Sequence, residues 1–212
     1  MIRNFKALGL TLVATFAMAA LVASGASADF RSEVHHTTVT GTQGVTNTLT
    51  VAAGTLHCTT ATFEGTSTET TSSSSTVAPN YQGCKITNYG LETVNAIVDM
   101  NGCHYLLTTT GQVHLECNTG LGSAIEVTAP LCVITFHPQT ISSVDYQNMG
   151  SGTTREVKLT WTATGVNYTQ TGVCPGGTGG FSNGTASGSI LFTGEDTNGN
   201  HVGIWHEAGT WP

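Results

Sequence analysis

The segment 101–117, NGCHYLLTTTGQVHLEC, contains two cysteines placed symmetrically about a turn signal, and this spacing constrains the fold more than any other feature. The TTG sequence that ends at Gly111 fits a three-residue hairpin loop, in which glycine occupies the position with positive φ. In that register Cys103 lies directly opposite Cys117, close enough for a disulfide. The segment therefore predicts an antiparallel hairpin closed by a disulfide.

Two cysteines and two histidines are also a common zinc ligand set, so a zinc site is the alternative interpretation. The hairpin register disfavours it, because successive side chains of a strand point to opposite faces of the sheet. His104 and His114 then lie on the face away from the cysteines, with His104 opposite Glu116. A zinc site would need a bulge that changes the register, and we expect no metal or other cofactor.

Residues 1–28 have the features of a signal peptide: a basic start, an apolar run over 7–23 and small residues that end at Ala28. The apolar run is short for a membrane anchor. We therefore expect cleavage after Ala28 and a single secreted, extracellular domain over 29–212.

The charge of the mature segment excludes two classes of partner. Four basic residues stand against thirteen acidic ones, which gives a formal charge of −9. Nucleic acids and anionic membranes both require clustered Lys and Arg. We therefore expect no nucleic-acid partner and no membrane association after cleavage, and consider an extracellular glycan or protein as the partner.

All six cysteines follow the predicted cleavage site, and an even number in an exported chain is typical of a disulfide framework. With the hairpin pair fixed, the other four cysteines allow three connectivities. The nearest-neighbour choice, which we prefer, joins Cys58 to Cys84 and Cys132 to Cys174.

Composition and alternation both predict an all-β chain. Charged residues make up 9%, and the sequence is rich in threonine, serine and glycine rather than in helix formers. Apolar and polar residues alternate over 132–136 and 157–163, and about ten short strands are separated by turn signals. We predict an antiparallel β-sandwich of the jelly-roll or immunoglobulin-like type, stapled by disulfides, with a parallel β-helix as the alternative.

Three local features carry further expectations. The low-complexity segment 65–76 is predicted as a mobile loop, and the glycine-rich segment 174–188 as a loop until its end. Asn198-Gly199 is a hairpin-turn signal. A two-residue turn there would place Phe192 opposite Trp205.

The segment 196–207, DTNGNHVGIWHE, has the ligand spacing of an EF-hand calcium loop. Asp196, Asn198 and Asn200 occupy positions 1, 3 and 5, and Glu207 occupies position 12. However, a histidine stands at position 6, where the turn needs glycine, and no amphipathic helices flank the segment. A hairpin tip is therefore the preferred interpretation, and a calcium site is the alternative.

The chain contains no G-x-S-x-G, S-x-x-K or H-E-x-x-H motif, so no catalytic residue can be named and the balance is against an enzyme. The preferred function is a non-catalytic secreted or cell-surface domain with a structural or interaction role. A carbohydrate or small-ligand binding module is the alternative, for which Trp205 and Trp211 are the candidate exposed aromatics. A secreted hydrolase with dispersed catalytic residues comes third.

The cysteine-bearing segments LHCTTATFEGT, GCKI, MNGCHYLL, VHLEC and YTQTGVC resemble the pattern of a group of uncharacterised exported actinobacterial proteins. The resemblance covers about 56–174 and consists of cysteine positions. It implies export and disulfide formation, and it implies no activity.

Overall fold

The computed structural model describes residues 28–118, 123–142 and 144–207. Apart from Ala28, the expected signal peptide lies outside these ranges, as does Trp211. Within them 72% of the residues are in antiparallel β-strands, and one turn of 3₁₀ helix spans Gly152–Thr154.

The described residues form nineteen strands. The first ten are β1 (Asp29–Ser32), β2 (Thr37–Val51), β3 (Gly54–His57), β4 (Thr60–Ser67), β5 (Thr71–Ser72), β6 (Ser74–Gln82), β7 (Lys85–Tyr89), β8 (Glu92–Asn95), β9 (Ile97–Asp99) and β10 (Cys103–Thr108). The others are β11 (Gln112–Cys117), β12 (Ile125–Ala129), β13 (Cys132–Phe136), β14 (Gln139–Ser142), β15 (Val144–Met149), β16 (Glu156–Gly172), β17 (Gly179–Glu195), β18 (His201–Val202) and β19 (Ile204–Glu207).

The main sheet curls until its pairing path closes into a ring of eight strands. The path runs β14-β11-β10-β6-β4-β2-β17-β16. β15, which follows β14 in the chain, pairs with β16 and so joins the two ends of the path. The Gln139 side chain reinforces this junction: its Nε2 donates to the Asn167 carbonyl at 2.8 Å, and its Oε1 accepts from the Asn167 amide at 2.9 Å.

Further strands extend the ring into a sandwich-like fold. β13, β12 and β9 continue from β16, whereas β3, β7 and β8 continue from β2. A separate sheet of order β19-β1-β5 lies at β15, where Phe30 makes an edge-to-face contact with Tyr146. Every strand pair in the described ranges is antiparallel, so the all-β antiparallel prediction is confirmed and the parallel β-helix is excluded.

The buried apolar side chains form two clusters. One surrounds the disulfides and includes Ile134 and Tyr168. The other includes Phe63, Leu159 and Phe192. The alternating segments 132–136 and 157–163 contribute to these clusters as predicted.

The three predicted disulfides are confirmed. They join Cys58 to Cys84, Cys103 to Cys117 and Cys132 to Cys174. The hairpin register is also the predicted one: Cys103 pairs with Cys117, and its neighbour on the strand, His104, pairs with Glu116. Gly111 has a φ of 77°, as the three-residue loop requires.

Two segments predicted as loops are largely strand. Segment 65–76 contains the end of β4, all of β5 and the start of β6, because β4 pairs with β6 and β5 pairs with β1. Serine and threonine leave the backbone free to form these ladders, and threonine favours strands. The low-complexity prediction was therefore wrong.

The glycine-rich segment 174–188 was also misjudged, because β17 begins at Gly179 and runs for 17 residues. Its glycines accommodate neighbouring side chains: a Cβ at Gly184 would lie 3.3 Å from the Tyr168 ring. Glycine in a strand often marks such a close approach. The expectation of about ten short strands was likewise wrong, since β2, β16 and β17 each span at least 15 residues.

The expected pair of Phe192 and Trp205 does not form. Gly194 pairs with Val202, so the loop is five residues long instead of two and the register shifts by one residue. Phe192 instead lies opposite Gly41 and Val157. The Asp196 side chain, at the first residue of this loop, accepts hydrogen bonds from the backbone amides of Asn198 and Asn200. These bonds favour the longer loop.

Removal of the disulfides should destabilise the protein in the order of the loops that they close. The separations are 42 residues for Cys132–Cys174 and 14 for Cys103–Cys117. The chain-entropy relation gives about 4 and about 3 kcal/mol. Urea unfolding of the two double Cys→Ala variants, compared with wild type, checks this order. A larger loss for the 14-residue loop would contradict the entropic account.

Candidate functional site

The proposed calcium-loop residues divide between two places. The Asp196 carboxylate accepts hydrogen bonds from the backbone amides of Asn198 and Asn200, both at 2.8 Å, and from Asn200 Nδ2 at 3.0 Å. These bonds, chiefly those from Asn200, lower the pKa of Asp196. Glu207 lies at the end of β19 and contacts the guanidinium of Arg31. The turn residues are thus brought together, whereas Glu207 has a partner on β1.

The histidines of the hairpin have partners on their own face of the sheet. His104 Nε2 lies 3.5 Å from Glu116 Oε2, and His114 Nδ1 lies 2.9 Å from Thr140 Oγ1. In the described ranges no group of three or more His, Cys, Asp or Glu side chains could hold a metal ion.

The aromatic candidates for sugar binding are only partly described. Trp205 is half-buried, and the Arg155 guanidinium lies 4.8 Å from the centroid of its ring. One face of the indole is therefore covered by a cation. Trp211 lies outside the described residues.

The feature that stands out is a partly open apolar cavity of about 140 Å³, bordered by the strand ring and by β3, β9, β12 and β13. Side chains from all eight ring strands line it, and they come from both core clusters. Phe63, Val77 and Val127 form part of its buried wall, and each is at most 2% exposed. Close-packed interiors rarely leave a void of this size.

Two tyrosines bring hydroxyl groups into this apolar lining. Tyr81 lies on β6 and Tyr105 on the neighbouring β10, and their hydroxyl oxygens are 3.2 Å apart. Burial, more than any other cause, raises the pKa of both groups above the usual value. Both tyrosines therefore stay neutral at physiological pH, and the pair satisfies one hydrogen bond of each hydroxyl.

Asn47 is a polar lining residue whose side chain makes no hydrogen bond among the described residues. Its side-chain nitrogen and oxygen are both buried, and neither has a partner among the described residues. Gln43, four residues earlier, also has a buried oxygen without a partner, but its Nε2 donates to the Thr59 carbonyl at 2.7 Å. A buried polar group without a hydrogen bond costs about 1–3 kcal/mol. The placement of Asn47 is therefore costly for a purely structural residue.

A bulged stretch of β2 holds Asn47 in this position. In the pairing with β17, Ser187 pairs with Thr48 but Ser189 pairs with Val45, so β2 contributes an extra residue there. The Ser189 hydroxyl accepts a hydrogen bond from the Val45 amide at 3.1 Å. Bulges commonly redirect a side chain near functional sites.

Glycine at position 188 creates the space for this arrangement. Gly188 pairs with Trp161 on β16, and a Cβ there would collide with Asn47 Oδ1 and with the indole of Trp161. The amide and the indole therefore lie side by side over the glycine. Both residues border the cavity, although the Asn47 oxygen and nitrogen are themselves shielded from it.

A second cleft, of about 220 Å³, lies between the small sheet and the ring. Its charged residues have partners within the protein: Arg31 contacts Glu207, and Glu69 lies 3.5 Å from His35. The charged side chains of this cleft thus have partners, unlike the side chain of Asn47.

Comparisons with family models, curated proteins and solved structures find no match to this chain. In the part of the chain that the structure describes, no helix has the length and apolar character needed to cross a membrane. The geometry of the chain itself must therefore support any assignment of function.

The cavity was not predicted from the sequence. Its lining is spread over strands from β2 to β17, and Asn47 stands in a run of threonines that has no motif. Apolar alternation identified several lining residues as core, but alternation does not distinguish a filled core from one with a void.

The tyrosine pair predicts a loss of stability at alkaline pH. The folded state holds the protons of Tyr81 and Tyr105 more tightly than the unfolded state, whose tyrosines titrate near about 10. Stability is therefore fully present below pH 10 and falls as the pH rises above it. Urea unfolding between pH 8 and pH 11 should show this fall, and the double variant Tyr81→Phe/Tyr105→Phe should show a shallower one.

The single variant Tyr105→Phe is the matched control. It leaves the Tyr81 hydroxyl buried without its partner, which should cost about 1–3 kcal/mol at pH 7, whereas the double variant should be nearly neutral there. Equal pH dependence in wild type and the double variant would contradict the assignment.

Calcium should leave the melting temperature unchanged, because the Asp196 carboxylate is bonded to its own turn and Glu207 contacts Arg31. Thermal melts with 5–10 mM calcium, on the order of the weakest protein sites, and with a chelator check this. A rise that disappears in Asp196→Asn would instead assign the turn to calcium.

Proposed function

We propose that the protein is an exported, non-catalytic β domain that binds a small, largely apolar ligand inside its strand ring. The observation that carries the proposal is the predominantly apolar cavity bordered by the strand ring. Pockets for small ligands are typically apolar, with a few polar groups that fix orientation. The lining of this cavity has that composition.

The volume of the cavity limits the size of the ligand. An apolar protein cavity of about 150 Å³ accepts a molecule the size of benzene. The cavity in this protein, at about 140 Å³, suits one six-membered ring or a branched aliphatic group of similar volume. A polysaccharide chain is too large to enter it.

The burial of the lining residues varies around the cavity. Asn47, Trp161 and Ala186 lie on β2, β16 and β17, and each is half-buried. Val98 and Ile141, on β9 and β14, are also half-buried, whereas Val77 and Val127 are fully buried.

The disulfides and the leader sequence support export. Three disulfides suit an oxidising compartment, because cytosolic thiols are kept reduced. The basic start, short apolar run and small residues up to Ala28 are those of a cleaved signal peptide. A stapled domain that encloses a small molecule suits an extracellular binding role.

Toluene serves as the probe for the proposed binding. At ten times its dissociation constant it should stabilise the protein by about 1.4 kcal/mol, which raises the melting temperature of a domain of this size by about 3–6 °C. Thermal melts over a toluene series check this. A melting temperature that is independent of toluene would contradict the proposal.

Two matched variants locate the binding. Val127 lines the cavity, whereas Val51 is buried but lines neither cavity. Val127→Ile should fill space, stabilise the free protein by about 0.8 kcal/mol and weaken the toluene response. Val51→Ile should cost about 1 kcal/mol or more through overpacking and leave the response intact. The same response in both variants would place toluene elsewhere.

A further inference from the structure

We propose that the pair of Tyr81 and Tyr105 donates one hydrogen bond to the ligand, and that the preferred ligand is a neutral one-ring molecule with a carbonyl oxygen and no donor, such as a cyclic ketone. This inference rests on the proposed binding function and adds the chemical class of the ligand. Its basis is the contact between the two hydroxyl groups at the cavity, which leaves one of their two protons without an acceptor.

The number of donors in the tyrosine pair defines the complementary group. Each phenol has one O–H donor. The two hydroxyl oxygens are 3.2 Å apart, and either of them can be the donor. Only one proton can lie between the two oxygens, so the other O–H has no acceptor among the described residues, whichever tyrosine donates. The pair is therefore short of one acceptor, which a ligand can supply.

Both tyrosines lie on the inner face of the strand ring. Tyr105 is opposite Val77 in the ladder of β10 and β6, and Tyr81 shares the face of Val77 because side chains alternate along β6. Each tyrosine is half-buried by area, yet burial raises the pKa of both. This combination is expected where the accessible surface of a side chain faces a cavity within the protein instead of bulk water.

The pair can present its spare proton from either residue. Exchange of the donor and acceptor roles moves the free O–H from Tyr81 to Tyr105 or back, and the bond between them is kept. Hydroxyl protons also rotate to suit their partners. A carbonyl oxygen of the ligand can therefore be met at either ring.

The rest of the lining offers no side-chain acceptor that faces the cavity without a partner. Gln139 Oε1 accepts from a backbone amide at 2.9 Å, and the Asn47 oxygen is shielded. Thr48 Oγ1 lies 2.9 Å from the hydroxyl of Ser187, a residue outside the lining. The indole N–H of Trp161 is a donor. An O–H or N–H of a ligand would therefore stay unpaired at a cost, so a ligand with an acceptor and no donor fits best.

The remainder of the cavity requires the ligand to be small and neutral. A volume of about 140 Å³ admits one six-membered ring. Leu107, Val113 and Leu115 line the cavity beside Tyr105, and its described lining contains no charged residue. A carboxylate or an ammonium group would be buried there without a counter-ion, which is strongly unfavourable. A ketone meets both conditions.

The first test compares cyclohexanone with methylenecyclohexane, which has the same shape but a CH₂ group in place of the carbonyl oxygen. Thermal melts over a series of each probe give its affinity for wild type and for Tyr81→Phe/Tyr105→Phe. We expect the ratio of ketone to hydrocarbon affinity to fall about fivefold in the double variant, which corresponds to about 1 kcal/mol. The ratio cancels the different costs of dehydrating the two probes. An unchanged ratio would overturn the inference.

Tyr146→Phe is the matched control. Tyr146 is half-buried on β15 and borders the second cleft, not the cavity, and its hydroxyl donates to the Thr108 carbonyl at 3.0 Å. Its loss should leave the affinity ratio at the wild-type value. A fall equal to that of the double variant would trace the effect to the loss of any buried hydroxyl, and the inference would be wrong.

Infrared spectroscopy of bound cyclohexanone tests the hydrogen bond in wild-type protein, independently of how the variants fold. A carbonyl that accepts a hydrogen bond absorbs at a lower wavenumber than the same carbonyl in an apolar solvent. We expect the band of the bound ketone to lie below that of cyclohexanone dissolved in cyclohexane. A band at the cyclohexane position would contradict the proposed bond.

The results separate the two proposals. If toluene and methylenecyclohexane bind but the affinity ratio does not depend on the tyrosine pair, the cavity binds ligands and the spare proton is satisfied by water, so this inference alone is wrong. If no probe binds, the binding function itself is wrong. If cyclohexanone binds and its preference depends on the pair, both proposals are supported.

Discussion

Closure of the main sheet is the constraint on which the rest of the structure depends. β14 pairs with β11 and β15 pairs with β16, so two consecutive strands join both ends of an eight-strand path. The apolar faces of these strands then share one interior. A chain without α-helices in its described part has to bury its apolar surface by packing sheet against sheet or by curling one sheet on itself. The side-chain bonds of Gln139 to Asn167 lie at the junction.

The cavity follows from this closure combined with one irregularity. Backbone hydrogen bonds between strands fix the Cα positions. The side chains therefore cannot move closer together to fill space that remains in the interior. The bulge in β2 turns Asn47 inward, and Gly188 leaves room for it beside Trp161. A buried polar group without a partner is rare in natural proteins and marks local strain, an ordered water or a functional role. The placement of Asn47 is therefore a local cost of the bulged β2 wall.

The parts of the fold that could be predicted from the sequence are those with local causes. The hairpin register follows from its own turn, and it placed Cys103 opposite Cys117 correctly. The loops predicted at 65–76 and 174–188 were wrong because their order comes from partner strands elsewhere in the chain. The prediction that Phe192 pairs with Trp205 was wrong because the Asp196 carboxylate, which accepts a hydrogen bond from the Asn200 amide, favours a loop of five residues over one of two. None of the residues that surround the cavity carries a motif.

The sequence by itself determined the all-β class, the Cys103–Cys117 disulfide and the strongly acidic character, because composition, alternation and turn spacing act locally or on average. Only the tertiary structure decided which strands close the ring and where an unpartnered amide is buried. The physical reason is sequence distance. The bond that marks the bulge, from the Val45 amide to the Ser189 hydroxyl, spans 144 residues, and side-chain periodicity within either strand contains no information about such a register.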